Sequence, residues 1–230
     1  MVNTFQHQPL TKLQNPSLLY PLAMEDIYNR NYSEAILKFE NIIYKFPLSN
    51  EGIQSQIMIA FIDYLNLNYI DAIYKFDKII KLYPSHKNID YAYYMRALCY
   101  FEQIQNESVD GFNNKKALSN FNELLNKYPN SEYSQDSRQK IIFINEIIAG
   151  KHMNIGMFYL KQKKYLAAIN RYNKVINEHE KSKFTAEALY RLTEIYLSLG
   201  LFEDAKKTAA VISYNYPESK WYEYAYKLIN

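Results

Sequence analysis

The residues best suited to chemistry in this sequence are its histidines and its one cysteine. The histidines are scattered, and no two have the i, i+4 spacing that places two metal ligands on one face of a helix. Cys99 lies in the apolar helical run 91–101, which predicts a buried thiol that lacks the base and electropositive surroundings of a nucleophile. We therefore expect no metal, no cofactor and solvated imidazoles. The histidines are His7, His86, His152 and His179.

Other signatures of catalysis are missing from the sequence. It contains no glycine-rich phosphate loop, no nucleophile elbow and no pair of cysteines. An enzyme that used Cys99 or His152 would need those side chains exposed together in one cleft. The sequence favours a protein that binds other molecules without transforming them, and such an enzyme is the alternative to be excluded.

The charge of the chain argues against a nucleic-acid partner. Its 27 Lys and Arg residues and 24 Asp and Glu residues give a formal net charge of +3. An electrostatic footprint for nucleic acid needs basic residues clustered on one face, whereas these lysines are dispersed. The longest cluster, at positions 161–164, ends a predicted helix, where cations complement the helix dipole.

One pattern of four residues recurs five times. It consists of an aromatic residue in a turn, a small residue where two helices cross, a second aromatic residue one turn later and a proline that ends the helix. Some copies lack one of these residues. The small residue lets two helix backbones approach closely, and the aromatic side chain fills the space beside it. This is the logic of tetratricopeptide repeats, in units somewhat longer than the usual ~34 residues. The crossing alanines are Ala35, Ala72, Ala117, Ala168 and Ala205, separated by 37, 45, 51 and 37 residues.

These repeats predict an all-α fold, a tetratricopeptide-like α-solenoid of five helical hairpins plus a C-terminal capping helix. We divide the chain into a flexible N-terminal tail, residues 1–16, then repeats one to three, residues 17–133, then repeats four and five with the capping helix, residues 134–230. The predicted helices are 17–29, 34–45, 50–67, 70–82, 89–105, 115–127, 134–163, 165–178, 183–199, 202–214 and 220–228.

Three local features accompany this prediction. Ser33 is the expected N-cap of the second helix. Gly150 is expected to kink the long helix 134–163 or to admit a close neighbour there. Residues 106–114 are predicted to be a polar loop inserted within the third hairpin, which is either a binding element or a tolerated surface insertion.

The first helices of stacked hairpins line a surface that can hold a peptide. Seven apolar side chains fall at matching turns of two consecutive first helices. Each of them also suits the core, but together they form a strip too wide to be wholly sealed, and an extended, aromatic-rich peptide would fit it. We expect Gln56, Asp63 or Arg96 to meet the main chain of that peptide. The candidate groove residues are Ile57, Phe61, Tyr64, Tyr91, Tyr94, Leu98 and Phe101.

Several strings in the chain are more specific than the repeat pattern. They are residues 88–97 (NIDYAYYMRA), 121–133 (FNELLNKYPNSEY), 136–138 (DSR), 167–172 (AAINRY) and 215–221 (NYPESKW). On these strings the chain resembles the BamD family, the lipoprotein component of the outer-membrane β-barrel assembly machinery. The resemblance runs from about residue 20 to the C-terminal string and includes the long fourth unit.

The resemblance implies a periplasmic scaffold with two partners. The C-terminal half of such a scaffold docks on a POTRA domain of the BamA-like central assembly subunit, and its N-terminal half meets unfolded outer membrane protein precursors through their C-terminal aromatic signal. Asn170 and Arg171 match the family's Asn-Arg motif, whose arginine pairs with an acidic POTRA residue. The alternative for Arg171 is a solvated helix residue. Other assembly lipoproteins are further partners that the resemblance allows.

The same resemblance implies a lipid anchor on an N-terminal cysteine, which the numbered chain does not contain. We expect the full-length form to be anchored at the periplasmic side of the outer membrane and this chain, as numbered, to be soluble. No secretory signal is recognised, because Pro21 splits the best apolar candidate. The alternative function is a Tol-system coordinator, another cell-envelope tetratricopeptide adaptor, which normally carries an N-terminal coiled coil.

Overall fold

The computed structural model of the protein describes residues 15–104 and 111–229. Within these ranges the chain forms eleven α-helices and no strand. The all-α prediction is therefore confirmed. The helices are α1 (Pro16–Tyr28), α2 (Tyr32–Lys45), α3 (Asn50–Leu65), α4 (Tyr69–Leu82), α5 (Ile89–Glu102), α6 (Phe112–Lys127), α7 (Ser134–Lys161), α8 (Tyr165–Glu178), α9 (Thr185–Ser198), α10 (Phe202–Asn215) and α11 (Lys220–Ile229).

The helices belong to two compact units, of which the first runs to Arg138 and the second begins at Gln139. We call them unit 1 and unit 2. In unit 1, each helix from α1 to α5 packs against the next one in the chain, and α1 also contacts α3. In unit 2, α8 packs against α9, α9 against α10, and α11 against both α9 and α10. Each unit is thus a series of tandem hairpins, as the repeats predict.

The crossing alanines are the most tightly packed positions of the hairpins. All five are fully buried, and in four hairpins the aromatic residue one turn later is fully buried as well. Burying a phenylalanine side chain contributes roughly 2–3 kcal/mol, which is available only where the neighbouring backbone is close enough to cover the ring. The predicted role of the alanines is confirmed. The four aromatic residues are Phe39, Phe76, Phe121 and Tyr172.

The turns inside the hairpins share an unexpected backbone conformation. Arg30, Leu67 and Lys163 have φ values of 60°, 62° and 57°, and Gly200 has 73°. Each lies two residues before the aromatic residue that begins the second helix. Left-handed φ is easy for glycine but costs other residues roughly 1 kcal/mol, so three of these four turns are strained. Each turn is closed by backbone hydrogen bonds to the last turn of the preceding helix, such as that from Asn68 N–H to the Asp63 carbonyl oxygen. Gly200 follows Leu199, the C-cap residue of α9, a position where glycine is favoured.

Some of the predicted boundaries are wrong. Ser33 does not cap α2, because the helix already begins at Tyr32, with Asn31 at the N-cap position and no side-chain capping bond. The predicted tail ends too late, because Asn15 caps α1 through its side chain and Pro16 is the first helical residue. The rest of that tail and most of the predicted insertion lie outside the described residues.

The long helix α7 continues through Gly150 for 28 residues. A Cβ atom added at Gly150 would lie 3.2 Å from the ring of Phe184, so this glycine admits a close neighbour, as predicted. Gly156 is more constrained still, since an added Cβ would lie 2.7 Å from the ring of Tyr172. Small residues on α7 therefore bring α8 and the start of α9 against it in unit 2.

None of the described helices is both long enough and apolar enough to cross a bilayer.

Replacing Leu67 by glycine tests the strain in the turns. Leu67 is 69% exposed, so it has little packing to lose, and glycine adopts its positive φ without a steric penalty. We expect Leu67→Gly to raise the free energy of unfolding by about 0.5 kcal/mol in a urea titration. Gly200→Leu, at the matching turn of the last hairpin, should lower it by about 1 kcal/mol. A less stable Leu67→Gly protein would show that the turn is not strained.

Candidate functional site

Five partly exposed aromatic side chains form a connected row in unit 1, which we call the aromatic strip. Phe61 and Tyr64 come from α3, Tyr91 and Tyr94 from α5, and Tyr133 from the segment just before α7. Within each helix the two residues are three apart, which places them on one face. The row therefore crosses two first helices and reaches the start of a third.

Ring contacts join every member of the aromatic strip to the next. The centroid distances are 6.1 Å for Tyr64–Phe61, 6.3 Å for Phe61–Tyr91, 5.4 Å for Tyr91–Tyr133 and 4.8 Å for Tyr133–Tyr94. Such pairs contribute about 0.5–1.5 kcal/mol each beyond the area they bury. The strip is thus ordered before any ligand arrives, which reduces the entropic cost of binding.

The phenols of the aromatic strip are un-ionised near neutral pH. Burial raises the pKa of Tyr64 and of Tyr133 to about 12. Burial also raises the pKa of Tyr91 and Tyr94 well above the usual 10.0 for a phenol. The Tyr94 hydroxyl donates a hydrogen bond to Asp136 Oδ2 at 2.7 Å, which fixes its ring against Tyr133. The aromatic strip is therefore an apolar surface with uncharged hydroxyl groups, which suits a peptide with large apolar side chains.

A polar pocket lies close to this strip. Its lining residues include Tyr20, Gln54 and Lys87, and the phenol of Tyr20 is near enough to that of Tyr91 to affect its pKa. Asn88 Nδ2 donates to Gln54 Oε1 at 2.8 Å and orders one wall. An apolar strip beside a pocket with amide and ammonium groups offers separate places for the side chains and the polar groups of one peptide.

The structure divides the predicted groove residues into two groups. Phe61, Tyr64, Tyr91 and Tyr94 belong to the aromatic strip, and Phe101 is partly buried with its ring 6.2 Å from that of Phe121. Ile57 and Leu98, which are 0% and 9% exposed, belong to the hydrophobic core. For these two the groove prediction is wrong, because they are buried in the core cluster that also contains Phe76 and Leu124.

The three polar residues expected to meet the peptide backbone already have partners. Gln56 Nε2 donates to the Tyr83 hydroxyl at 3.2 Å, and Asp63 pairs with Lys75 at 2.5 Å. Their expected role in peptide binding therefore has no support in these contacts. For Arg96, the third of these residues, the expected contact with the peptide backbone is wrong.

Arg96 is a buried structural cation rather than a peptide contact. It is 9% exposed and lies on α5, where its two terminal nitrogens bond Asp77 of α4 at 2.7 Å and Glu123 of α6 at 2.5 Å. Its guanidinium also lies 5.2 Å from the centre of the Tyr93 ring. The two carboxylates come from different helices, so Arg96 ties α5 to both α4 and α6.

Unit 2 contains the other predicted site, on α8. Asn170 is exposed, and Arg171 is half-buried with one terminal nitrogen 3.5 Å from Nδ1 of His152 on α7. Across the described ranges, no carboxylate forms a salt bridge with Arg171 or with Lys174, one turn further along α8. The side of α8 that carries these residues therefore has two cations available for an acidic partner.

The histidines are less solvated than their sequence positions predict. His86 is 8% exposed, and His152 and His179 are half-buried. Burial lowers the pKa of all three below the usual 6.5. His179 Nδ1 lies 3.0 Å from Asn145 Oδ1, which fixes its ring. The prediction of solvated imidazoles is wrong for His86, because a turn after a proline is packed into the core here. Among residues 15–104 and 111–229, no three His, Cys, Asp or Glu side chains come together as a group that could hold a metal ion.

Cys99 is fully buried, and burial raises the pKa of its thiol to about 12. The predicted structural role of this residue is confirmed. A buried, protonated thiol is not a nucleophile, so the alternative of an enzyme that uses Cys99 is wrong.

Known proteins resemble this chain over most of its length. The model of the YfiO family, described as an outer membrane lipoprotein, matches residues 13–212. The outer membrane protein assembly factor BamD of Caulobacter vibrioides is 40% identical over 213 residues, which are 93% of this chain and 70% of that protein. BamD of Rickettsia prowazekii is 38% identical over 221 residues, which are 96% of this chain and 86% of that protein.

Solved structures give a more distant likeness. A tetratricopeptide protein from Thermus thermophilus aligns over 94% of this chain and 98% of its own, with 15% sequence identity and a TM-score of 0.42.

Proposed function

The chain belongs to the YfiO family, which includes the BamD outer membrane protein assembly factors, and we propose that it acts as a non-catalytic scaffold in that assembly machinery. In this proposal unit 1 binds the C-terminal signals of unfolded outer membrane proteins. Unit 2 binds the POTRA region of the BamA-like central subunit. The Tol-system alternative is set aside, because the relatives at 38–40% identity are BamD proteins.

The aromatic strip is the observation that supports client binding by unit 1. A C-terminal signal rich in aromatic side chains presents large apolar groups and a main chain with unpaired polar groups. Four tyrosines and a phenylalanine in contact supply apolar area at low entropic cost, since each ring has only two side-chain torsions. The neutral hydroxyls and the neighbouring polar pocket supply donors and acceptors for the main chain.

The Tyr64→Ala substitution tests the client site. Tyr64 is partly exposed and packs on the outside of the core, so its loss removes one ring of the strip while the fully buried residues keep their places. We expect binding of a fluorescent peptide that ends in an aromatic residue to weaken about tenfold, the equivalent of about 1.4 kcal/mol, as measured by anisotropy. Tyr74→Ala on α4 is the matched control, because Tyr74 is 69% exposed and lies outside the strip. Equal affinity in all three proteins would contradict the proposed site.

The cations of α8 support docking by unit 2. Within the described part of the chain, the close polar partner of Arg171 is an imidazole, and a guanidinium can form two parallel hydrogen bonds with a carboxylate. Once desolvated at an interface, such a pair contributes about 2 kcal/mol or more. Asn170 is exposed beside it and has an amide that can bond the same partner. An acidic residue on a folded domain is the partner chemistry that suits this arrangement.

The Arg171→Glu substitution tests this docking. Charge reversal replaces attraction by repulsion, so we expect the dissociation constant for the soluble POTRA region of the central subunit to rise at least about thirtyfold, the equivalent of about 2 kcal/mol. Lys207→Glu makes the same charge change at an exposed position of α10, where the lysine forms a surface pair with Asp204 at 3.5 Å. Calorimetry would compare the three proteins, with circular dichroism as the check on folding. Unchanged binding by Arg171→Glu would refute the role of Arg171.

We place the protein on the periplasmic side of the outer membrane, where the POTRA region and the unfolded clients are present. The family description as an outer membrane lipoprotein supports this location.

A further inference from the structure

His152 on α7 lies next to Arg171, the residue proposed to pair with the partner. Its Nδ1 atom lies 3.5 Å from the Arg171 Nη1 atom, and its ring centre lies 6.3 Å from that of His179. Both imidazoles are half-buried in unit 2. His152 is therefore part of the surroundings of the guanidinium, although it carries no signal in the repeat pattern.

The contact between these side chains favours one protonation state of the imidazole. A guanidinium has only donors, so Arg171 can bond Nδ1 of His152 only while that nitrogen keeps its lone pair. The hydrogen of the neutral ring is then on Nε2. A proton on Nδ1 would set two cationic groups against each other. The contact with Arg171 and the protonation of Nδ1 are thus mutually exclusive.

The charges around His152 favour the neutral ring in the unbound protein. Burial is the largest cause that lowers its pKa below 6.5, followed by the positive charges of Arg171 and Lys174 and by His179. Glu178 on α8 acts in the opposite direction. His179 in turn has its own pKa lowered by burial, against the effects of Glu178 and Glu146. Burial and, after it, the cationic side of α8 therefore disfavour a proton on His152.

A bound carboxylate would disrupt the contact between Arg171 and His152, and it would offset the positive charges that disfavour a proton on His152. It would draw the Arg171 N–H groups into a charge-assisted pair, which leaves Nδ1 of His152 without its donor. It would also place a negative charge near the imidazole, which favours the charged form. A protonated His152 could then donate a hydrogen bond to the same carboxylate or to an acceptor next to it on the partner.

We propose that His152 is a positioning residue of the docking site on α8 and takes up a proton from solvent when an acidic residue of the partner pairs with Arg171. In the unbound protein the neutral imidazole holds the guanidinium in place. In the complex the imidazolium adds a second positive group to the interface. This inference rests on the proposed docking of the POTRA region by unit 2.

The direction in which binding shifts the pKa of His152 decides how the affinity for the partner depends on pH. Binding raises the pKa of His152 from a value below 6.5. At pH values between the pKa of His152 in the free protein and its pKa in the complex, the complex therefore holds more protons than the free proteins do. Affinity should therefore increase as the pH falls through that window. A single linked proton changes the dissociation constant by at most about tenfold per pH unit. We expect the complex to bind about three to ten times more tightly at about pH 5.5 than at about pH 7.5.

Calorimetry with the soluble POTRA region tests the inference. Titrations in two buffers of different ionisation enthalpy at about pH 6.5 give the number of protons bound on docking. We expect a net uptake in the unmodified protein that is absent in His152→Gln, with a flatter pH profile for that variant. His179→Gln is the matched control, because it removes a half-buried imidazole of the same unit whose Nδ1 bonds Asn145 instead of Arg171. This control should retain the proton uptake.

The outcomes separate this inference from the proposed function. If the unmodified protein does not bind the POTRA region, both are wrong. If it binds but takes up no proton, or if His179→Gln rather than His152→Gln abolishes the uptake, the role of His152 is wrong and the docking of unit 2 stands. Circular dichroism of each variant confirms that the helices are intact, and the pH profile is a property that a purely structural histidine would not alter.

Discussion

The close packing of two helices at a buried alanine is the constraint on which the rest of the structure depends. Each crossing alanine is fully buried, and the side chain one turn later seals the gap in the first four hairpins. That packing occupies one face of each helix, so α3 and α5 keep another face free for Phe61, Tyr64, Tyr91 and Tyr94. The same requirement for close approach explains why α7 carries glycines against bulky rings.

The two units present surfaces of different chemistry. Unit 1 offers aromatic rings in mutual contact, with phenols whose pKa values are raised by burial. Unit 2 offers Arg171 and Lys174 without carboxylate partners among the described residues, next to an imidazole held neutral by its surroundings. An unfolded client and a folded domain differ in the same way, since one exposes apolar side chains and the other a charged surface. This difference supports a scaffold that binds both.

The sequence predicts periodic features well and isolated ones poorly. The crossing alanines, the ends of α4 and α8 and the burial of Cys99 follow from apolar spacing, which every turn of a helix repeats. The left-handed turns at Arg30 and Leu67 have no such signal, because backbone hydrogen bonds at the helix ends, and not glycine residues, hold them. For the site, the spacing identifies which helices contribute rings. It cannot separate Tyr91 from a core residue such as Leu98 on the same helix, because the spacing does not distinguish a half-buried position from a sealed one. Tyr133 was missed because it lies outside a helix, and Arg96 was misassigned because its carboxylate partners are distant in sequence.

The central claim is that unit 1 and unit 2 bind different proteins. Hydrogen exchange read by mass spectrometry, with an aromatic-ended client peptide and the POTRA region added separately and then together, tests it most directly. The account predicts that the peptide slows exchange in α3 and α5, that the POTRA region slows it in α7 and α8, and that both protections persist in the mixture. Protection of the same helices by both ligands, or displacement of one ligand by the other, would contradict it.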